Sequence, residues 1–249
     1  TCSGTAKTFT ITENPTPTVS GYMDLIPCAG NSIFPIGFTG SVSGTTFAWS
    51  NDNTSIGLPA SGLSNIPSVI AVNNGTSPAV ATITVTPSAN TCDGASKTFT
   101  ITVNPTPTVN DISNSVVCNN TVTSAIGFSG TVSGTTYTWT NSNASIGLAS
   151  NGSGDIPSFT AVNSGSAAVT ATITVTPGAN TCGGTSKTFT ITVNPIPTVN
   201  TITDKVICNN TATTKISFSG NVSGATYAWT NSNAAIGLAA SGTGDIPSF

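Results

Sequence analysis

Three features of the sequence predict an all-β fold, a tandem row of small β-sandwich domains arranged as an extended rod. The first is a repeat: Cys2, Cys92 and Cys182 are 90 residues apart, and so are Cys28, Cys118 and Cys208, Trp49, Trp139 and Trp229, and Lys7, Lys97 and Lys187. A fixed period marks a tandem array, and one small sandwich fits in ninety residues. Residues 109–159 and 199–249 share 35 identities in 51 positions, and the changes are mostly small polar swaps such as Thr138 to Ala228. The second feature is strand-like alternation inside each unit, and the third is the lack of any helical period.

The elements follow in order within the second unit. Ile126 and Phe128 are expected on one strand and Tyr137 and Trp139 on the next, with Gly130 and Gly134 bracketing the turn between them. With their counterparts Phe38 and Phe218, Phe47 and Tyr227, and Trp49 and Trp229, they form the expected aromatic core. Residues 141–155, rich in Asn, Ser and Gly, are expected to wrap a sheet edge before Ile156, Phe159, Ala161 and Val162 return to the core. Val169, Ala171, Ile173 and Val175 then alternate with Thr170, Thr172, Thr174 and Thr176, which gives a strand with one dry face. Phe189, Ile191 and Val193 alternate with Thr in the same way. The loop between these strands, PGANTCGGTSK, is dense in turn formers, so the two read as a hairpin with a long connection.

Composition narrows the function. Of 249 residues, 104 are Thr, Ser or Asn, whereas charged residues are 5% against about 25% in an ordinary soluble protein. Solubility rests on hydroxyls and amides. With five Lys, eight acidic residues and no His, the chain is short of general acids and bases, of imidazole ligands and of the basic surface that nucleic acid requires. No enzymatic activity, no cofactor, no metal site and no nucleic-acid partner are expected. No apolar run approaches the ~20 residues of a membrane span, and the opening TCSGTAKTFT lacks the basic start and apolar centre of a signal peptide.

Each unit closes on Asn-Pro and enters the next through alternating prolines: Asn104-Pro105-Thr106-Pro107-Thr108 and Asn194-Pro195-Ile196-Pro197-Thr198. Such spacing fixes φ and favours an extended, polyproline-like linker, so the domains are expected to string out. Boundaries are expected near 18, 108 and 198. Residues 1–18 read as the C-terminal strand of a preceding repeat, 19–108 and 109–198 as whole repeats, and 199–249 as the N-terminal part of a following one. A window out of phase with its own period implies a longer natural protein.

The strings VCNN, SGTVSGTTYTW, TNSNASIGLA, GDIPSF, TATITVTP, NTCGG and KTFTITVNP recur together in order. Together they resemble the PKD-like, immunoglobulin-like repeats of very large cell-surface proteins of gliding and other Bacteroidetes, including adhesins exported by the type IX secretion route. The resemblance covers the whole chain and implies an extracellular repeat stalk at a cell surface, in proteins of adhesion or gliding motility. One departure is that Trp139 is followed by TNSN, so the WxFGDG string of the better-known PKD domain is missing and inferences from that turn do not transfer.

Six cysteines at two phases of a repeat, in a chain that resembles exported proteins, read as disulfides. Pairing within a domain would join Cys28 to Cys92 and Cys118 to Cys182, leaving Cys2 and Cys208 to partners outside the chain. Such a loop is worth roughly 4 kcal/mol in the chain-entropy model. Against this, an immunoglobulin topology puts these two loops at opposite poles, beyond the ~7 Å Cα limit of a disulfide. That objection favours Cys28 with Cys182, across two domains, but a short first strand removes it, and pairing within each domain is the leading expectation. Pairs 26 apart, beginning with Cys2 and Cys28, are the third option.

Other chemistries are weaker. The Trp and its aromatic neighbour could stack on sugars, but they fall on core positions; only Tyr22 and Phe34 lack an aromatic counterpart one period on. An isopeptide bond from Lys97 or its repeats needs a buried carboxyl, and the acid repeated in phase is Asp155 with Asp245, replaced by Asn65 in the first unit. Thr-x-Thr faces resemble ice-binding surfaces, but Thr suits any exposed sheet face. The expected function is a structural stalk or filament whose partners are neighbouring repeats and laterally packed copies. The alternatives are an adhesive module binding a glycan or other ligand, a spacer in a secreted hydrolase, and an ice-binding surface.

Overall fold

The computed structural model describes residues 1–249 and is all-β, with helix confined to three-residue 3-10 turns. The chain forms two compact units: Thr1–Val109 with Ser129–Thr136 and Pro177–Thr185, and Asn110–Phe128 with Tyr137–Thr176 and Ser186–Phe249.

The first strands are β1 (Ser32–Ile33), β2 (Thr46–Asn51), β3 (Ser61–Leu63), β4 (Val69–Ile70), β5 (Ala79–Ala89), β6 (Cys92–Asp93) and β7 (Lys97–Val103). β5 is central because it alternates most cleanly: Ala81, Ile83 and Val85 are fully buried while the intervening Thr residues stay half-exposed. It pairs antiparallel with β2 on one side and with β7 and the short β6 on the other. A second layer is built from β1 and β4, continued by bridges from Ile36 to Ile66 and from Ser20 to Thr39. Ile33, Ile36 and Phe38 from this layer join Trp49, Ile83, Val85, Phe99 and Ile101 in one core. The first extended segment runs parallel to β7, with Leu25 opposite Ile101 and Cys28 opposite Asn104.

The same pattern follows in β8 (Ser115–Cys118), β9 (Thr136–Asn141), β10 (Asn151–Ser153), β11 (Val169–Ala179), β12 (Cys182–Gly183) and β13 (Lys187–Asn194), in the order β10-β9-β11-β13-β8, with β12 paired to β11. The β11–β13 register, Ile173 opposite Phe189 and Ala171 opposite Ile191, matches that of Ile83 with Phe99 and Ala81 with Ile101. β8 lies parallel to β13, with Cys118 opposite Asn194. The last residues give a two-stranded sheet of β14 (Ala228–Thr230) and β15 (Ser241–Thr243).

Three local readings change. Ile126 and Phe128 lie on a segment that makes a single bridge, Ile126 to Ile156, not a strand. The 141–155 stretch holds a 3-10 turn, Ala144–Ile146, capped by Asn143 and burying Ile146, followed by β10. The loop PGANTCGGTSK is largely strand: β11 continues through Pro177 to Ala179 and pairs with β12 across a two-residue turn. The exposed sheet faces carry hydroxyl pairs, Thr170 with Thr192 at 2.9 Å, Thr86 with Ser96 at 2.7 Å and Thr176 with Ser186 at 2.7 Å.

Candidate functional site

In the β11–β12 hairpin the turn residues Asn180 and Thr181 have φ of 50° and 66°, and Asn90 and Thr91 of the β5–β6 hairpin have 48° and 67°. Two positive φ values match the right-handed twist of the flanking strands. A β-branched Thr there is an unfavourable choice, so neighbouring contacts must hold it. The Gly184 amide donates to the Pro177 carbonyl at 2.9 Å, which ties the hairpin base together. At the tip, the buried Asn104 side-chain amide donates to the Asn180 carbonyl at 3.1 Å. Gly184 rests on the Pro107 carbonyl so closely that a Cβ has no room. The covalent lock is a disulfide from Cys182, 3% exposed, to Cys28, with Cα atoms 5.7 Å apart and a sequence separation of 154.

This corrects the pairing of Cys28 with Cys92 and of Cys118 with Cys182. Cys28 sits opposite Asn104, just past the far end of β7, whereas Cys92 lies on β6, ahead of the start of β7 at Lys97. The seven residue steps between those ends span about 23 Å, far beyond what a disulfide bridges. Cys92 and Cys118 are thiols, as are Cys2 and Cys208. Pro105 and Pro107 are buried, Pro107 against Gly184 of the hairpin, and Val109 is 2% exposed. In the second segment Pro195 is buried, but Pro197 is exposed and Val199 is 57% exposed. The sequence signal for this seat is the glycine two residues after each late cysteine, Gly94 and Gly184.

Trp49 and Trp139 are buried at 4% exposure, with Phe38, Phe47 and Tyr137 also buried and Phe128 half-buried. Each ring is covered by a glycine, Gly62 or Gly152, that leaves no space for a Cβ. Trp229, Tyr227 and Phe218 are half-buried, because the β14–β15 sheet has no strand in the place β5 and β11 occupy. Of the two aromatics without counterparts, Tyr22 stacks on Phe99 at 6.4 Å as part of the core. Phe34 is 80% exposed on a groove of about 430 Å³ with Met23, Ile26 and Pro35. The residues one period on are Ser113, Val116, Ser124 and Ala125, so Met23 and Phe34 are replaced by serines in the second repeat.

The carboxylates act as turn acceptors. Asp155 and Asp245 accept from the Phe128 and Phe218 amides at 2.9 Å, and Asn65 does the same for Phe38 at 3.1 Å. Lys187 pairs with Asp111 at 2.5 Å and Lys215 with Asp245 at 2.9 Å, so Asp155 is not the partner of Lys187 that an isopeptide bond needs. Ion pairing to Lys215 and the Phe218 amide lower the Asp245 pKa. Hydrogen bonds from the Thr100 amide and hydroxyl lower that of Asp24. No cluster of three or more His, Cys, Asp or Glu is spaced to hold a metal, and no helix is long and apolar enough to cross a membrane.

Residues 28–107 match the model of the PKD-like domain family. No curated protein sequence matches the chain. Among solved structures, the chain is similar to a three-domain fragment of titin, domains I67–I69 in an E-to-A variant. The TM-score is 0.51 at 13% identity, covering 85% of this chain and 77% of that one. It is also similar to repeats EC22–24 of mouse cadherin-23, with a TM-score of 0.41 at 11% identity over 93% of this chain and 89% of that one. The PKD-like match and the titin likeness establish an immunoglobulin-like β-sandwich fold.

Proposed function

We propose that the chain is a non-enzymatic segment of an extracellular stalk, built from tandem 90-residue sandwich repeats with boundaries near residues 18, 108 and 198. In this reading it belongs to a large Bacteroidetes cell-surface adhesin, of the kind that serves adhesion or gliding motility, and spaces a binding tip from the cell. The observation that carries the reading is the Cys28–Cys182 disulfide, which ties one repeat to the hairpin of the next. Disulfides persist in oxidising compartments, which supports an exported protein. The parallel pairing of the first segment with β7 and of β8 with β13 supports a mechanical role, because strands entering and leaving a domain side by side load their ladder bonds in shear. A low charge leaves little repulsion between neighbouring rods, which favours lateral association into a filament. Electron microscopy of the purified chain tests the reading: thin strings of beads or bundles are expected, and compact single particles would overturn it.

A second reading, a ligand-binding adhesive module, is favoured by the groove at Met23, Ile26 and Phe34, whose apolar lining the second unit replaces with Ser and Val. Immobilised-glycan binding that Phe34→Ser abolishes without loss of folding would promote it over the stalk.

A further inference from the structure

We propose that Cys118, Asn194, Pro197 and Val199 form an open socket for a further cysteine-bearing β-hairpin of the Pro177–Gly184 type, sealed by a disulfide at Cys118. The proposal rests on the repeat reading above and names the partner such a repeat would take.

Cys118 occupies the frame of Cys28. Cys28 lies opposite Asn104, and the next amide, that of Ala29, donates to the Asn104 carbonyl at 2.9 Å. Cys118 lies opposite Asn194, and the Asn119 amide donates to the Asn194 carbonyl at 2.8 Å. The tight turns after them also agree, with Asn31 donating to Cys28 at 3.0 Å and Thr121 to Cys118 at 3.1 Å. The difference lies in what covers them. Asn104, Pro107 and Val109 are buried beneath the 177–185 hairpin, whereas Asn194 is half-buried and Pro197 and Val199 are exposed. Pro197 and Val199 line a cavity of about 360 Å³ with the half-buried Tyr227 and Trp229.

A second seat shows what the occupant is. The 87–94 hairpin rests on Pro17 and Val19 as the 177–184 hairpin rests on Pro107 and Val109: the Asn14 side chain donates to the Asn90 carbonyl at 3.0 Å, and Gly94 abuts the Pro17 carbonyl. Pro17 and Val19 are buried there although Cys92 is a thiol, so the seat forms without the disulfide. Both seats take the same thing, an Asn-Thr-Cys-x-Gly turn at the end of a Thr-rich strand. The third, bare seat therefore selects such a hairpin, of the kind a neighbouring repeat carries.

Sealing is a two-electron oxidation of two thiols and needs an oxidant, here a low-molecular-weight disulfide such as oxidised glutathione. The Cys118 thiolate attacks it, forming a mixed disulfide and releasing one glutathione thiolate. The hairpin thiolate then displaces the second glutathione, so two protein thiols become one disulfide and one glutathione disulfide becomes two thiols.

The test lengthens the full chain at its C-terminus with a copy of residues 160–198 and folds it in a glutathione redox buffer. Non-reducing peptide mapping is expected to find Cys118 joined to the added cysteine at the same 154-residue separation as Cys28 and Cys182, with that first bond retained. Trp229 emission shifts to the blue as the cavity fills. Cys118 that still reacts with iodoacetamide while Cys28–Cys182 is closed overturns the proposal. So do dimers linked through Cys118, or a Trp229 emission that does not shift. In the unlengthened chain, Cys28→Ser should leave Cys182 and Cys118 both alkylatable; a bond between them also defeats the proposal. These readouts are independent of particle shape, so a failed socket and a failed stalk are told apart.

Discussion

Residues 104–109 and 194–199 are near-copies with opposite fates. In the first, Asn104 is bonded to the hairpin tip, Pro107 lies under Gly184 and Val109 is buried; in the second, Pro197 and Val199 face solvent. Alternating prolines are therefore not enough to make a stiff connection. They restrict φ, but the segment becomes part of a core only where a hairpin covers it, as the 87–94 hairpin covers Pro17 and Val19 with Cys92 still a thiol. Trp139 and Trp229 repeat the lesson within one unit, since only Trp139 lies in a sheet with a central strand such as β11.

The largest expected effect comes from removing the covalent lock. With the disulfide intact, force passes from Cys28 to Cys182 through sulfur, and the residues between are shielded. Reduction should add about 54 nm of extensible chain at ~3.5 Å per residue, read by single-molecule pulling with and without dithiothreitol. Equal lengths in both conditions would refute the lock. In the chain-entropy model the same loop is worth about 5 kcal/mol, and Cys28→Ser should lower the urea midpoint accordingly.

Next in size, Trp139→Ala is expected to cost about 3–5 kcal/mol, and Trp229→Ala clearly less because the ring is already half-exposed. Urea titration of the two variants side by side compares them, and equal losses would contradict the difference in burial. Asn104→Ala should cost about 1–2 kcal/mol for a buried hydrogen bond lost, while Asn194→Ala stays within about 0.5 kcal/mol.

The smallest effect is one of pH. Asp24 accepts from the Thr100 amide at 2.6 Å, and one period on Asn114 accepts from Thr190 at 2.8 Å. The folded pKa of Asp24 lies below its ordinary value of 3.8, so its contribution is present above that value and fades as pH falls through the lower, folded pKa. Amide exchange at Thr100 should quicken in that acid range while Thr190, facing an amide that does not titrate, keeps its protection. Matched acceleration at both positions would mean that the carboxylate is not the cause.

The strands were legible because Thr alternates with Val, Ile and Ala over eight residues, and burial follows that alternation in β5 and β11. The aromatic positions were legible as well, since Trp49 and Trp139 recur in phase within the alternating text. The seat was hidden by composition. Pro-Gly-Ala-Asn-Thr-Cys-Gly-Gly reads as solvated turn, yet Pro177 and Ala179 are strand residues and Gly184 is small because a carbonyl touches it. Asn-Pro-Thr-Pro reads as linker because no local pattern tells that another segment lies on top. Cysteine pairing depends on that same contact, since only the seated hairpin brings Cys182 to Cys28.

The hydroxyl pairs on the sheet faces have a consequence for where such a molecule can work. Ion pairs on a surface weaken as dissolved salt shortens the Debye length, about 10 Å at 0.1 M and 3 Å at 1 M. A Thr–Thr contact such as that between Thr170 and Thr192 carries no net charge for ions to screen. The fold should thus hold its stability from fresh water to brine, a tolerance of ionic surroundings obtained by leaving charge out of the surface.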